Sequence, residues 1–123
     1  MSIPVDLSKL AETLGRYRFA YLLTASERGA PHAVAVTAVL QGGELVVGEA
    51  GRRTRDNAAQ RPDVALVWPP QSEGEYSLIV DGHAVVEGNG LRITPARAVL
   101  HRPSPPREPA APGACGSDCV EIA

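Results

Sequence analysis

This sequence predicts a mainly β domain, a six-stranded antiparallel closed or split β-barrel carrying two short α-helices. Three observations predict it. Six stretches of five to twelve residues have the apolar pattern of strands, Gly-, Pro- and Asn-containing turns separate them at short intervals, and only two segments have helical character. A barrel is preferred to an open sheet because closure leaves no bare strand edges.

The elements follow in order. Asp6 caps a helix through about Leu14, where Leu7, Leu10, Ala11 and Leu14 recur at i, i+3, i+4 and i+7, and Gly15 ends it. The first strand runs from Arg18 to Thr24, with Phe19, Tyr21 and Leu23 on one parity. Glu27-Arg28-Gly29-Ala30-Pro31 turns it into a second strand, His32 to Leu40, and Gln41-Gly42-Gly43 leads to a third, Glu44 to Gly48. Loops this short make the three strands an antiparallel meander. A second helix then runs from about Arg55 to Arg61, with Thr54 as its N-cap and Pro62 as its stop. Asp63 to Trp68 is apolar on both parities and forms the fourth strand. Tyr76 to Glu87 is the fifth, one long strand bent at Asp81-Gly82 rather than a hairpin, and Leu91 to Leu100 is the sixth.

Length and composition limit the function. At 123 residues, 44% hydrophobic and 21% charged, the chain has room for a single core, assigned to residues 1–103, with 104–123 a Pro/Gly-rich tail. A net charge of -2 and five aromatic residues argue against nucleic acid as a partner. No apolar run approaches the roughly 18 residues of a membrane span, and the amino terminus lacks the pattern of a signal peptide, so a cytoplasmic location is expected. Arginine supplies eleven of the twelve basic residues, which fits a GC-rich bacterial genome.

The segment Gly51-Arg52-Arg53-Thr54-Arg55-Asp56-Asn57 concentrates three arginines and a hydroxyl where a strand hands over to a helix. Helix N-termini present unpaired N–H groups to anions, and charge-assisted bonds from arginine add about 1.5–3 kcal/mol each. Phosphate is the chemistry this pattern suits. It is not a Walker loop, because no Gly-Lys-Ser/Thr follows, so nucleoside triphosphate hydrolysis is not supported. A solvated run of arginines is the plainer alternative.

Other reactive residues carry weaker signals. Cys115 and Cys119 form a C-x3-C pair without the spacing of a zinc site, and two reduced thiols are the expected state. His32, His83 and His101 sit on separate strands, so no metal site is expected. His101-Arg102, closing the last strand, is the better candidate for meeting a ligand, while Trp68 is expected in the core. The second strand is apolar on both faces: Val34, Val36, Ala38 and Leu40 on one, Ala33, Ala35 and Val39 on the other. A single core uses one face, which predicts a homodimer through the second.

From Leu7 to Pro103 the chain resembles the FMN-binding split-barrel family related to pyridoxamine 5'-phosphate oxidase. The resemblance rests on Gly29-Ala30-Pro31-His32, on Thr54-Arg55-Asp56-Asn57 with Arg61-Pro62-Asp63-Val64-Ala65-Leu66, and on Val80-Asp81-Gly82-His83-Ala84. It implies a dimer holding flavin at its interface. Arg52, Arg53, Thr54 and Arg55 fall on the stretch that grips the FMN phosphate in that family, and Val36, Thr37 and Ala38 on the strand that passes the isoalloxazine. Family members often have lysine where this chain has Arg55, and the forked guanidinium suits phosphate at least as well. The carboxyl end, Pro103-Ser104-Pro105-Pro106, lacks the Arg- and His-containing segment with which the true oxidases bind substrate, so pyridoxamine phosphate oxidation does not carry over. The implied function is an FMN-dependent oxidoreductase of a small-molecule substrate. The alternatives are a reductase using the deazaflavin coenzyme, or a non-catalytic flavin- or haem-binding protein.

Overall fold

In the computed structural model, which describes residues 1–104, eight antiparallel strands form one sheet that curls into a barrel. The strands are β1 (Ser2–Val5), β2 (Ala20–Ala25), β3 (Pro31–Val36), β4 (Val39–Gln41), β5 (Glu44–Val47), β6 (Asp63–Trp68), β7 (Ser77–Glu87) and β8 (Gly90–His101). Their hydrogen-bonded order is β3-β2-β6-β7-β8-β5-β4, with β1 added along the carboxyl half of β8. Helix α1 (Leu10–Leu14) follows a single 3-10 turn, Leu7–Lys9, whose N-cap Asp6 accepts a hydrogen bond from the Ser8 amide at 2.9 Å. Helix α2 spans Arg52–Gln60.

The strand number is eight rather than six, for two reasons. Ser2–Val5 pairs with β8 although Pro4 and its brevity hide it from any alternation pattern. The expected strand His32 to Leu40 is two strands: Pro31–Val36 pairs with β2, whereas Val39–Gln41 pairs with β5. The predicted three-strand meander is therefore broken at Thr37-Ala38, and its two halves end up at opposite ends of the sheet order. That two-residue link joins the first and last strands of the path covalently and closes the barrel without a ladder there.

The long fifth strand is one bent strand, as its sequence predicts. Asp81 faces Arg97 and Gly82 faces Pro95, so Ala96 is the extra residue of a β-bulge. Glycine is required at the bend, because a Cβ on Gly82 would stand 2.6 Å from Ile93 Cγ2 and 2.8 Å from the Thr94 carbonyl oxygen.

Inward positions make the core: Leu22, Leu66, Leu78, Val80, Leu91 and Ile93 are almost fully buried, with Leu10 of α1 plugging one end and Trp68 beside it, as expected for that tryptophan. Outward positions on the same strands form an apolar row. Ala35, Tyr21, Val67, Ile79 and Val99 stand side by side across β3, β2, β6, β7 and β8; Ala35 and Tyr21 are exposed, Val67 and Ile79 half-buried, and Val99, paired with Pro4 of β1, is buried. Among the described residues no helix is long and apolar enough to cross a membrane. The thiols Cys115 and Cys119 and the tail 105–123 lie outside the described residues.

Candidate functional site

Helix α2 begins three residues earlier than the sequence predicts. Its N-cap is Gly51, with extended backbone (φ -63°, ψ 162°), and the first intrahelical bond runs from the Arg55 amide to the Gly51 carbonyl at 3.0 Å. Thr54 is thus not the cap. It lies inside the first turn, 1% exposed, facing the barrel. The correction has a physical reason: Arg52, Arg53 and Thr54 already have acceptable helix propensity, and burying the Thr54 and Ala58 face gains more than a threonine cap.

This start leaves the N–H groups of Arg52, Arg53 and Thr54 without intrahelical acceptors, and glycine supplies no capping oxygen. The end of the helix facing β5 therefore keeps its positive partial charge.

The helix is locked to the barrel from its inner face. Asn57, 8% exposed, donates through Nδ2 to the buried Thr24 hydroxyl of β2 at 3.1 Å, and Ala58 packs into the core. At its carboxyl end the Arg61 amide donates to the Asn57 carbonyl at 2.8 Å, the Arg61 guanidinium donates to the Glu27 carbonyl, and Pro62 prevents a further turn.

The three arginines behave differently. The Arg52 side chain is 89% exposed and pairs loosely with Asp56 at 3.8 Å one turn on, worth about 0.3–0.5 kcal/mol. Arg53 is exposed. Arg55 is half-buried, its Nη1 donates to Asn89 Oδ1 at 3.3 Å, and its Nε is buried with no acceptor. A buried guanidinium N–H without a partner costs about 1–3 kcal/mol, which marks Arg55 as the member of the set that an anion would satisfy.

Asn89 is a residue that sequence reasoning missed. Gly88-Asn89-Gly90 reads only as a turn, but the turn is pressed against the end of β5: the Ala50 amide donates to the Asn89 carbonyl at 2.8 Å. A Cβ on Gly90 would fall 2.0 Å from the Val47 carbonyl oxygen. Close approach of the β7–β8 turn therefore needs glycine and sets the Asn89 amide against Arg55.

The residues nominated on the second strand are distributed otherwise. Val36 is packed in the core and Ala38 is half-buried against it, whereas Thr37 is exposed in the link between β3 and β4. Helix α2 leans on β2 and β7, so the structure does not itself join the arginines to Thr37. The histidines are scattered: His83 lies 3.6 Å from Asp63, and His101 Nδ1 is 3.0 Å from the Ser2 hydroxyl.

The chain has relatives of known sequence and neighbours of known structure. Uncharacterized proteins of Mycobacterium bovis and Mycobacterium tuberculosis are each 42% identical over 132 aligned positions, spanning 94% of this chain and 93% of theirs. No family model matches the chain. Among solved structures, a pyridoxamine 5'-phosphate oxidase-like protein of Listeria innocua superposes with a TM-score of 0.65 at 16% identity, over 76% of this chain and 96% of its own. The chain belongs to one family with these mycobacterial proteins, and its fold is the split barrel also seen in pyridoxamine 5'-phosphate oxidase-like proteins. With the same fold, a FAD-binding protein of Mesorhizobium loti gives a TM-score of 0.65 at 14% identity, covering 81% of this chain and 96% of its own. An F420 reductase gives 0.59 at 16% identity, covering 78% and 98%. At these identities the structural likeness shows the split-barrel fold alone.

Proposed function

We propose that this split barrel binds FMN by its phosphate at the start of α2 and acts, as a homodimer, as an FMN-dependent oxidoreductase on a small molecule. The observation that carries the reading is Arg55, with a buried and unpartnered Nε beside the uncapped first turn of the helix. A phosphate supplies the acceptor that this guanidinium lacks. Arg55, aligned by Asn89, is the inner donor; Arg52 and Arg53 are outer cations; the N–H groups of Arg52, Arg53 and Thr54 complete the cradle. Thr54 contributes its amide and, through its buried side chain, the seating of the helix. Thr37 is the exposed polar group assigned to the ring, with Val36 and Ala38 supporting the strand link behind it.

Bound FMN supplies the electron and hydride chemistry, while the protein binds and orients it. The fold's likeness to a FAD-binding protein supports a flavin-class ligand. Its likeness to an F420 reductase supports a second reading, a reductase that places the phosphate of the deazaflavin coenzyme on the same arginines.

The homodimer reading rests on the outer apolar row Ala35, Tyr21, Val67 and Ile79. Tyr21 there is 44% exposed and stacks edge-on with Phe19 at 5.3 Å, and beside it a shallow cleft of about 440 Å³ lined by Leu23, Pro31, Ala65 and Ala96 carries the Asp63 and Asp81 carboxylates as a polar margin. A contiguous apolar face of this kind gains by burial against a second copy.

The test is the absorption spectrum and mass of whatever copurifies, followed by titration with FMN and with the deazaflavin coenzyme. The proposal expects FMN and its reduction by NAD(P)H. Uptake of the deazaflavin coenzyme alone supports the second reading, and a chain that takes up neither contradicts both.

A further inference from the structure

The end of the barrel farthest from α2 holds a second cationic cleft. It has a volume of about 370 Å³ and lies between the segment after α1, the β6–β7 loop and the end of β8. The 11 residues of β7, about 35 Å of strand contour at roughly 3.3 Å per residue, run from this cleft to the Asn89 turn. Tyr17 and Leu100 form its apolar base against the core, and Arg16, Gln71 and Glu75 its rim.

Arg102 dominates this cleft. Its guanidinium lies over the Tyr76 ring, 4.5 Å from the centroid, so its plane is held by stacking. Nη1 donates to the Gly74 carbonyl at 3.2 Å, and Nε is buried without an acceptor. Among the described residues no carboxylate pairs with Arg102, although Glu75 lines the same cleft. The unused side of the fork is therefore Nε and Nη2, the edge that takes a carboxylate through two parallel bonds.

The neighbouring polar groups are already committed. Tyr17 donates its hydroxyl to the Tyr76 carbonyl at 2.8 Å, and burial pushes that phenol up, keeping it protonated. The Gln71 amide donates to the Arg16 carbonyl. What the cleft leaves open is the flat, forked Arg102 donor above an apolar base, with the Arg16 cation and the Glu75 carboxylate at its rim.

We propose that this cleft binds a small-molecule carboxylate carried on a planar apolar body, with Arg102 as its anchor. The volume suits a ligand of that size, since small-molecule pockets begin near about 300 Å³. Carboxylate is favoured over phosphate because Arg102 presents a planar fork, and Glu75 at the rim offsets the charge of Arg16 and opposes a second negative charge on the ligand. The site is independent of the flavin reading and shares no residue with it.

Calorimetric titration of the full chain with benzoate, with neutral benzamide and with inorganic phosphate tests the proposal. Benzoate should bind one site per chain at least about tenfold more tightly than benzamide or phosphate, as charge-assisted bonds require. Arg102→Gln should abolish that preference without changing FMN affinity. Arg102→Lys, which keeps the charge and loses the fork, should lose most of it while melting like the wild type. Equal binding of benzoate and benzamide, a preference for phosphate, or a preference that survives both variants overturns the proposal. Asp118 and Glu121 are side-chain carboxylates of the segment outside the described residues, as is Glu108. If Asp118→Asn with Glu121→Gln strengthens benzoate binding tenfold, the occupant is the chain's own carboxyl end and the free-ligand proposal falls.

Discussion

Arg55 is the side chain on which the proposed phosphate site turns, since it combines a half-buried stem, one bond to Asn89 and an unpaired Nε. Arg55→Ala should weaken FMN binding at least about tenfold, the loss of one or two charge-assisted bonds, while leaving the melting temperature of the flavin-free protein within a degree or two. Equal losses of binding and of flavin-free stability would make Arg55 a structural residue. Tyr17 makes a separate prediction. Burial holds its phenol protonated in the folded chain, so the folded state binds that proton more tightly than the unfolded state. Its contribution is complete below the ordinary phenol range and is lost as pH rises through the raised value. Urea melts across alkaline pH should therefore show stability falling, and Tyr17→Phe should flatten that fall at a cost of about 1 kcal/mol at neutral pH from the lost bond to Tyr76. An unchanged alkaline slope in the variant would contradict this.

The elements were legible to different degrees. The strand at 63–68 matches its predicted bounds, and the long strand around Asp81-Gly82 is bent and continuous as its composition implies. Alternation survives a change of sheet partner, however, so nothing in Val36-Thr37-Ala38-Val39 announces that β3 ends and β4 begins there. The start of α2 was misplaced because a threonine before Arg55 resembles a cap, whereas its burial against the barrel is a tertiary effect. For the same reason Asn89 was invisible as a site residue: its proximity to Arg55 depends on Gly90 packing under the Val47 carbonyl. Gly82→Ala tests the bend. With Ile93 and Thr94 in contact range of any Cβ, it should destabilise the domain by about 1–3 kcal/mol or more, seen as a reduced urea midpoint. A neutral substitution would mean that the bulge at Ala96 relaxes freely.

At the scale of the whole molecule, the outer apolar row is the feature that a lone barrel does not explain. Two of its strands, those of Ala35 and Val67, are expected from sequence to be apolar on both faces, and the register sets Tyr21 and Ile79 beside them on the outward face. Tyr21→Asp, at an exposed position that does not fill the core, should yield a folded monomer by sedimentation and reduce FMN affinity if each flavin touches both chains. A variant that stays dimeric would place the interface elsewhere. The central claim, that the start of α2 is addressed to a phosphate, is tested most directly by titrating the protein with FMN and riboflavin and following the quenching of flavin fluorescence. The two ligands share the ring and differ in the phosphate, so binding should be at least about tenfold tighter for FMN, and the gap should narrow as salt screens the arginines. Equal affinities for FMN and riboflavin at low salt would contradict the account.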